Sequence, residues 1–238
     1  MQVITNYKQA RINVEQAAVA VGRDPHSIRI VGVAKRQPVE KVVAAVMEGL
    51  IDVAENRWQE ASEKIPRVKE QLLKAGFDPV AIRWHMVGHV QSNKAVRVVE
   101  LFDVVQSVDS LKLANFLSIR ANDLGKTLEI FIEVNTSGEA SKDGIHHSEL
   151  FDLVGEIQDL PGLKMNGLMT VGPLTEDVDD IKASFDMLYT LRMRVGEKLK
   201  LDTRNWELSM GMSDDYPLAI VAGATMVRLG TAIFGARA

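Results

Sequence analysis

The sequence is organised as short apolar runs that alternate with segments long enough to form a helix, and this alternation limits the possible folds most strongly. The first run, residues 27–35, is followed by Pro38, which suits the first turn of a helix that closes near Gly49. About eight such runs occur, ending at Lys35, Glu55, Gly88, Asp109, Asn135, Met169, Met210 and Gly230. This repeated alternation in 238 residues predicts an α/β fold, a TIM-type (β/α)8 barrel that forms a single domain over residues 1–238. A doubly wound open sheet is the alternative.

The composition of the runs favours strands that are buried on both faces. The runs are rich in Val, Ile, Leu and Met without strict alternation, as in a parallel sheet covered by helices. Serines that precede helix-like segments are candidate N-caps, at Ser92, Ser110, Ser148 and Ser213. The segment 137–146 is the most loop-like stretch, and it follows a strand, where barrels carry functional loops.

Composition and charge disfavour three classes of partner or site. The formal net charge of -4 leaves no basic excess, so we expect no nucleic-acid partner. The absence of cysteine excludes disulfides, thiolate metal sites and cysteine nucleophiles, and it fits a cytoplasmic location. Residues 1–22 have the pattern of an amphipathic helix rather than a secretory signal. No apolar run approaches the roughly 20 residues that span a bilayer, so we expect no membrane partner.

Lys35 is the polar residue at a strand end that is hardest to explain as a surface residue. It follows the apolar residues 30–34, where a buried ammonium group is costly. A partly desolvated lysine has a lowered pKa and can act as an amine nucleophile towards a carbonyl. A lysine that simply emerges into solvent where the strand ends is equally compatible with the spacing.

The stretch 223–237 contains a candidate anion site. Gly230 and Thr231 follow the last predicted strand and precede a short segment that can form one helical turn, which brings backbone N–H groups and a hydroxyl together. Barrels often bind phosphate after strands seven and eight, and Ser209 in the seventh run offers a second hydroxyl. The alternative is a glycine-containing turn that closes the barrel.

Arg228 lies within the last apolar run, and a buried guanidinium group stays charged and needs acceptors. It is compatible with an ion pair to Glu55 or Asp109 across the barrel mouth, or with donation to a ring nitrogen of a bound heterocycle. A lysine, an anion site and an arginine together suggest a phosphorylated aldehyde that carries a pyridine ring.

Seven segments spread over nearly the whole chain resemble the pyridoxal phosphate homeostasis proteins, the YggS/PROSC family. In order they are VGVAK (31–35), AENRWQE (54–60), WHMVGHVQSNK (84–94), VNTSGEASKDG (134–144), GLMT (167–170), SMGMSDD (209–215) and GATMVRLGTAIFGAR (223–237). The fold of that family is like the N-terminal barrel of alanine racemase, so the resemblance implies a barrel independently of the strand count.

The resemblance also implies a cofactor, pyridoxal 5′-phosphate, and a set of binding residues. Lys35 corresponds to the lysine that holds the cofactor covalently as a Schiff base, and Arg228 to the arginine that faces the pyridine nitrogen. Asn56 corresponds to a pocket residue, and Lys142 to a loop lysine that takes part in moving the cofactor. The phosphate-binding region corresponds to Ser209, Gly230 and Thr231.

A positive charge at the pyridine nitrogen suits a cofactor-holding protein, although racemases of the same fold also use an arginine there. The charge of Arg228 disfavours protonation of that nitrogen, so the ring is a weaker electron sink. We therefore expect a role in vitamin B6 homeostasis, with apo-enzymes as acceptors of the cofactor and a monomer or weak dimer as the assembly. No metal is expected, because the strand-then-loop pattern does not bring His85 and His89 to one face.

A pyridoxal-phosphate-dependent amino-acid racemase is the main alternative. Two-base racemisation requires a second acid or base opposite the lysine, and alanine racemases supply a tyrosine beside a second, β-rich domain, which is not expected here. Tyr7 and Tyr189 fall in predicted helices, which leaves Tyr216 as the one plausible substitute. A Schiff-base lyase acting on a phosphorylated sugar, and a regulatory interaction protein, are further alternatives.

Overall fold

The computed structural model of the protein describes residues 2–139 and 141–236. Its strands are β1 (Arg29–Val33), β2 (Asp52–Glu55), β3 (Arg83–Met86), β4 (Val104–Val108), β5 (Leu128–Asn135), β6 (Ile145–His146), β7 (Leu163–Met169), β8 (Glu207–Ser209) and β9 (Met226–Leu229). Eight of them pair in the order β4-β3-β2-β1-β9-β8-β7-β5, and β4 also pairs with β5, so the sheet closes on itself. All of these pairings are parallel. The prediction of an eight-stranded barrel is confirmed, and the open sheet is wrong.

Helices surround the barrel because each strand is followed by an amphipathic or apolar segment that covers it. They are α1 (Gln2–Ala20), α2 (Val39–Met47), α3 (Trp58–Lys74), α4 (Ala95–Leu101), α5 (Leu111–Asp123), α6 (Leu150–Ile157), α7 (Val178–Leu199), α8 (Tyr216–Val221) and α9 (Thr231–Phe234). The first helix precedes the barrel and packs against α2, α8 and α9. In the described part of the chain, no helix is both long enough and apolar enough to cross a membrane.

One of the four predicted helix caps is confirmed. The Ser110 hydroxyl accepts a hydrogen bond from the Leu113 amide at the start of α5. Ser92 and Ser148 instead lie inside short 3-10 turns that precede α4 and α6. Ser213 does not cap α8 either, because its hydroxyl is used by a different part of the chain, described below. Of the segment 137–146, residues 137–139 and 141–144 are loop and residues 145–146 form β6 along the edge of β5, while residue 140 lies outside the described residues.

The apolar core has two parts, one between the barrel and its helices and a smaller one inside the barrel. Side chains alternate between these two environments along each strand, so every strand is covered on both faces. The inner part consists of Val31, Ala54, Val104, Phe131, Met169 and Met226.

The amino-terminal end of the barrel is closed by charged side chains rather than by apolar ones. Arg29 forms ion pairs with Asp52 and Glu207, and Arg83 forms ion pairs with Asp52 and Glu129. Since opposite charges alternate around this floor, the arginines are held between carboxylates from neighbouring strands.

Two glycines outside the site test the packing of the barrel. A Cβ at residue 167, in β7, would overlap the carbonyl oxygen of Glu207 on β8. We expect Gly167→Ala to lower the free energy of unfolding by about 2 to 3 kcal/mol, because strand backbone has to move. The matched control is Gly155→Ala in α6, where the added methyl meets no atom within 4 Å. The control should raise stability by about 0.5 to 1 kcal/mol, as measured by urea unfolding. Equal effects of the two substitutions would contradict the packing described here.

Candidate functional site

Lys35 lies in a tight turn at the carboxyl end of β1, and it is half-buried. The turn is anchored where the Ala34 amide donates to the carbonyl oxygen of Ala54, 2.8 Å away. The next residue, Arg36, has a φ of 58°, in the left-handed region that residues with a side chain rarely occupy. Lys35 therefore stands on the rim that the carboxyl ends of the strands share, where barrels carry their chemistry.

Asn56 lies on the same rim, directly after β2, and lines one cavity of about 210 Å³ together with Lys35, Arg57 and Glu60. Its Oδ1 atom is buried, and among the described residues no donor lies within hydrogen-bond distance of it. A buried carbonyl oxygen without a donor is costly, so this atom is suited to accept a hydrogen bond from a bound molecule.

The turn after β9 directs backbone amides towards the rim. The amides of Gly230 and Ala232 both donate to the Ser213 hydroxyl oxygen at 3.3 Å, which is long for a hydrogen bond. Gly230 faces β1, where a Cβ would lie 3.6 Å from the Val33 carbonyl oxygen, and Thr231 is exposed beside it. Two amides thus converge on one hydroxyl oxygen, and converging amides are an arrangement that binds anions.

Sequence reasoning missed Ser213 as a member of this group and treated it as a helix cap. The residue lies in the 209–215 segment that carries the family resemblance, and this was the available signal. Gly211, with a φ of 88°, makes the sharp turn that brings Ser213 towards β9.

Arg228 lies inside the barrel with 5% of its surface exposed, and its guanidinium group is hydrogen-bonded within the barrel. Nη1 donates to the Ser209 hydroxyl at 2.8 Å, and Nη2 donates to the Thr170 carbonyl oxygen at 2.6 Å. Burial lowers the pKa of Arg228 to about 10, which leaves the group charged at neutral pH, and the charges of Glu133 and Asp215 oppose the shift.

The alternative in which Arg228 forms an ion pair with Glu55 or Asp109 is wrong. In the residues that the structure describes, Glu55 pairs with Lys64 at 2.6 Å and Asp109 pairs with His89 at 3.1 Å. Glu55 is out of reach because it points away from the barrel interior, towards α3, where Lys64 lies. Ser209 in turn lies wholly buried in the interior, where its hydroxyl accepts from Arg228.

A chain of hydrogen bonds continues from Ser209 down the barrel to the charged floor. The Ser209 hydroxyl donates to Gln106 Oε1 at 2.6 Å, and Gln106 Nε2 donates to His85 Nδ1 at 2.9 Å. Since His85 Nδ1 accepts, its other nitrogen carries the proton and donates to Asp52 at 2.8 Å. Each donor in this chain donates to the next residue towards the floor. The Arg228 guanidinium group is thereby connected to the Asp52 carboxylate.

Burial and neighbouring charges set the protonation of the two lower groups in this chain. Burial lowers the pKa of His85, although its bond to Asp52 opposes the shift, so the imidazole is neutral at physiological pH. Burial acts to raise the pKa of Asp52, but the His85 hydrogen bond and the nearby arginines outweigh it, and the pKa is lowered. His85 and His89 do not share a site, because His85 is enclosed in the barrel and His89 is half exposed beside Asp109.

Glu133 is a further buried group near the carboxyl end of β5. Burial raises its pKa to about 8, the charges of Asp143 and Asp109 act in the same direction, and Arg228 opposes them. The loop glycine Gly144 packs directly against the Glu133 side chain, which keeps water from it. The rim therefore contains a carboxyl group that is largely protonated at neutral pH.

Tyr216 was considered for catalysis and Lys142 for cofactor transfer, and the side chains of both contact other parts of the protein. The hydroxyl of Tyr216 is hydrogen-bonded to Asn13 of α1, on the outside of the barrel. The Lys142 ammonium group donates to the Gly172 carbonyl oxygen at 3.2 Å.

Comparison with known proteins agrees with the geometry. Residues 6–238 match the family described as alanine racemase, N-terminal domain. An alanine racemase from Corynebacterium glutamicum is 12% identical and has a TM-score of 0.69 over 99% of this chain and 61% of its own, a likeness of fold alone. The fold and the rim residues thus define a barrel protein of the alanine racemase N-terminal type.

Curated relatives identify the particular family. The pyridoxal phosphate homeostasis protein of Vibrio alginolyticus is 40% identical over 91% of this chain and 89% of its own, and that of Escherichia coli K12 is 36% identical over 98% and 95%. PipY of Synechococcus elongatus, solved with PLP bound, is 31% identical over 93% of this chain and 100% of its own, with a TM-score of 0.78. The chain belongs to the pyridoxal phosphate homeostasis protein family.

The pKa of Glu133 predicts how stability depends on pH. The folded value of about 8 lies above the ordinary 4.5, so the folded state holds a proton that the unfolded state releases, and stability is lost as the pH rises through about 8. We expect Glu133→Gln to raise the free energy of unfolding at about pH 9 by on the order of 1 to 2 kcal/mol, with little change at about pH 5.

Urea unfolding at the two pH values measures this difference. Glu156→Gln, at an exposed position of α6, is the control and should behave as the wild type at both. A Glu133→Gln protein that loses stability with rising pH as steeply as the wild type would show that Glu133 is charged throughout.

Proposed function

We propose that the protein binds pyridoxal 5′-phosphate as a Schiff base on Lys35 and contributes to vitamin B6 homeostasis without major catalytic turnover. One observation carries the proposal: a half-buried lysine follows β1, a pair of converging backbone amides follows the neighbouring strand β9, and a buried arginine lies on β9 itself. The 31% identity to PipY, solved with PLP bound, supports the same ligand.

The rim residues fit the chemical groups of this cofactor. Lys35 suits the aldehyde, and the Gly230 and Ala232 amides with the hydroxyls of Ser213 and Thr231 suit the phosphate, since the present bonds to Ser213 are long. Arg228 suits the pyridine nitrogen, because Ser209 and Thr170 hold its charged guanidinium group in a fixed position inside the barrel. Asn56 lines the cavity that Lys35 also lines, and its Oδ1 atom accepts no hydrogen bond from the described residues. Ser209 serves the cofactor in this proposal only through Arg228.

When bound, pyridoxal phosphate supplies an aldehyde that condenses reversibly with amines. Lys35 would hold the cofactor through its amine nitrogen, with the aldehyde oxygen released as water. An acceptor amine would take the place of Lys35 at the same carbon, which would return Lys35 to its amine form. No oxidant or reductant is needed, so Lys35 can store the aldehyde and give it up to apo-enzymes.

Two features of the rim support storage over turnover. The permanent charge of Arg228 disfavours protonation of the ring nitrogen, which weakens the cofactor as an electron sink. Tyr216, the plausible second acid or base, is paired with Asn13 outside the barrel. Amino-acid racemisation is retained as the second candidate, because the family match to the alanine racemase N-terminal domain favours it. Exchange of the Cα proton of added amino acids with deuterated solvent, at turnover rates, would support the racemase and refute simple storage.

The covalent attachment predicts a chromophore that depends on Lys35. The protein mixed with pyridoxal phosphate should absorb as an imine, and borohydride reduction should leave a pyridoxyl group on the Lys35 peptide in mass mapping. Lys35→Ala should abolish both signals, whereas Lys112→Ala, at an exposed position of α5, should keep them. An adduct on another lysine, with Lys35 unmodified, would overturn the assignment.

The phosphate contacts predict a separate loss of affinity. Ser213→Ala should weaken binding of pyridoxal phosphate by about tenfold, the usual effect of losing a hydrogen bond to a charged group, while the imine on Lys35 still forms. Titration of the chromophore measures the affinity, and Ser62→Ala on the exposed side of α3 is the control. Unchanged affinity in Ser213→Ala would place the phosphate elsewhere.

A further inference from the structure

The turn that carries Lys35 is held from behind by a buried ammonium group of α3. Lys64 has 7% of its side chain exposed and donates to three acceptors, one for each of its hydrogens. These acceptors are the Ala34 carbonyl oxygen at 2.7 Å and carboxylate oxygens of Glu55 and Glu60, both at 2.6 Å. The peptide between Ala34 and Lys35 is therefore fixed by the Lys64 ammonium group, each of whose hydrogens has an acceptor.

The peptide just after Lys35 is fixed by the same network. The Arg36 amide donates to Glu60 Oε1 at 2.6 Å, the oxygen that Lys64 also contacts. This bond holds Arg36 at its φ of 58°, a conformation that a side-chain-bearing residue avoids unless its surroundings impose it. Glu60 and Lys64 thus bind the two peptides that flank Lys35, although both belong to a helix outside the barrel.

We propose that Glu60 and Lys64 are positioning residues that hold the Lys35 turn in the strained conformation required for reversible attachment of the cofactor. This inference rests on the proposed function, because it concerns the residue that forms the imine. The Arg36 side chain disfavours this conformation, so without Glu60 the turn relaxes, and the Lys35 amine no longer stays in register with the phosphate contacts of β9.

Glu60 offers the cleaner substitutions, since 27% of its side chain is exposed, whereas removal of Lys64 leaves the buried carboxylate of Glu55 without its cation. Glu60→Ala removes the acceptor for the Arg36 amide, and Glu60→Gln keeps an oxygen there. Glu70→Ala is the matched control, because Glu70 and Lys74 form an exposed pair on the same helix with the same spacing and the same 2.6 Å distance.

The measurement is the rate at which the borohydride-sensitive chromophore of the purified, pyridoxal-phosphate-loaded protein is lost to hydroxylamine, well below the melting temperature. We expect Glu60→Ala to raise this rate by roughly tenfold, Glu60→Gln by much less, and Glu70→Ala not at all. Adding Arg36→Gly should return Glu60→Ala most of the way to the wild-type rate, because glycine adopts the left-handed conformation without strain. A role in folding alone would lower the melting temperature and leave the rate unchanged.

The outcomes separate the two proposals. If Glu60→Ala and Glu70→Ala lose the chromophore at the same rate, or if Arg36→Gly gives no recovery, the positioning role is wrong while attachment to Lys35 stands. If the wild-type protein yields no pyridoxyl adduct on Lys35, the proposed function fails, and this inference fails with it.

Discussion

The burial of one guanidinium group is the constraint on which the interior of this barrel depends. An unpaired arginine inside a protein costs several kcal/mol, so Arg228 requires acceptors from other strands. Ser209 and Thr170 supply them, Gln106 accepts from Ser209, and each later member of the chain is oriented by the one before it. Five strands contribute a residue to this arrangement, and the bond from Ser209 to Gln106 joins β8 to β4.

The two ends of the barrel use charge in opposite ways. At the floor, arginines and carboxylates from adjacent strands neutralise each other in direct ion pairs, and this end is closed. At the rim, the amides of Gly230 and Ala232 bond weakly to Ser213, and a carbonyl oxygen of Asn56 has no donor among the described residues. The unsatisfied Asn56 oxygen therefore lies where a ligand at the rim can reach it.

Much of the fold followed from the sequence, because strand ends in a parallel barrel coincide with changes from apolar to polar residues. The predicted runs ending at Glu55, Asn135 and Met169 end at those residues in the structure. The first strand ends two residues before Lys35, since the turn around Arg36 begins earlier than the polar residues do. The pattern of apolar residues reflects burial within one segment of the chain. It therefore predicted the positions of the strands and helices well.

The sequence was less informative about the site wherever a contact joins distant segments. Gln106 and His85 carry no motif, and their bond depends on the register between strands that only the closed barrel defines. Carboxylates were one of two alternatives for the partners of Arg228, but the barrel supplies a hydroxyl and a carbonyl oxygen instead. The attachment of a cofactor to Lys35 stays a prediction, supported by the family to which the chain belongs.

The contact between the first and last helices has a consequence for biogenesis. The Asn6 side chain donates to the carbonyl oxygen of Ile233, so residues 227 positions apart meet next to the turn of Gly230. A contact between such distant parts of a chain is expected to form late, after most of the loop-closure entropy has been lost. A nascent chain that has not yet reached residue 233 consequently lacks this contact, so the turn proposed to hold the phosphate is completed only after α1 and α9 have met.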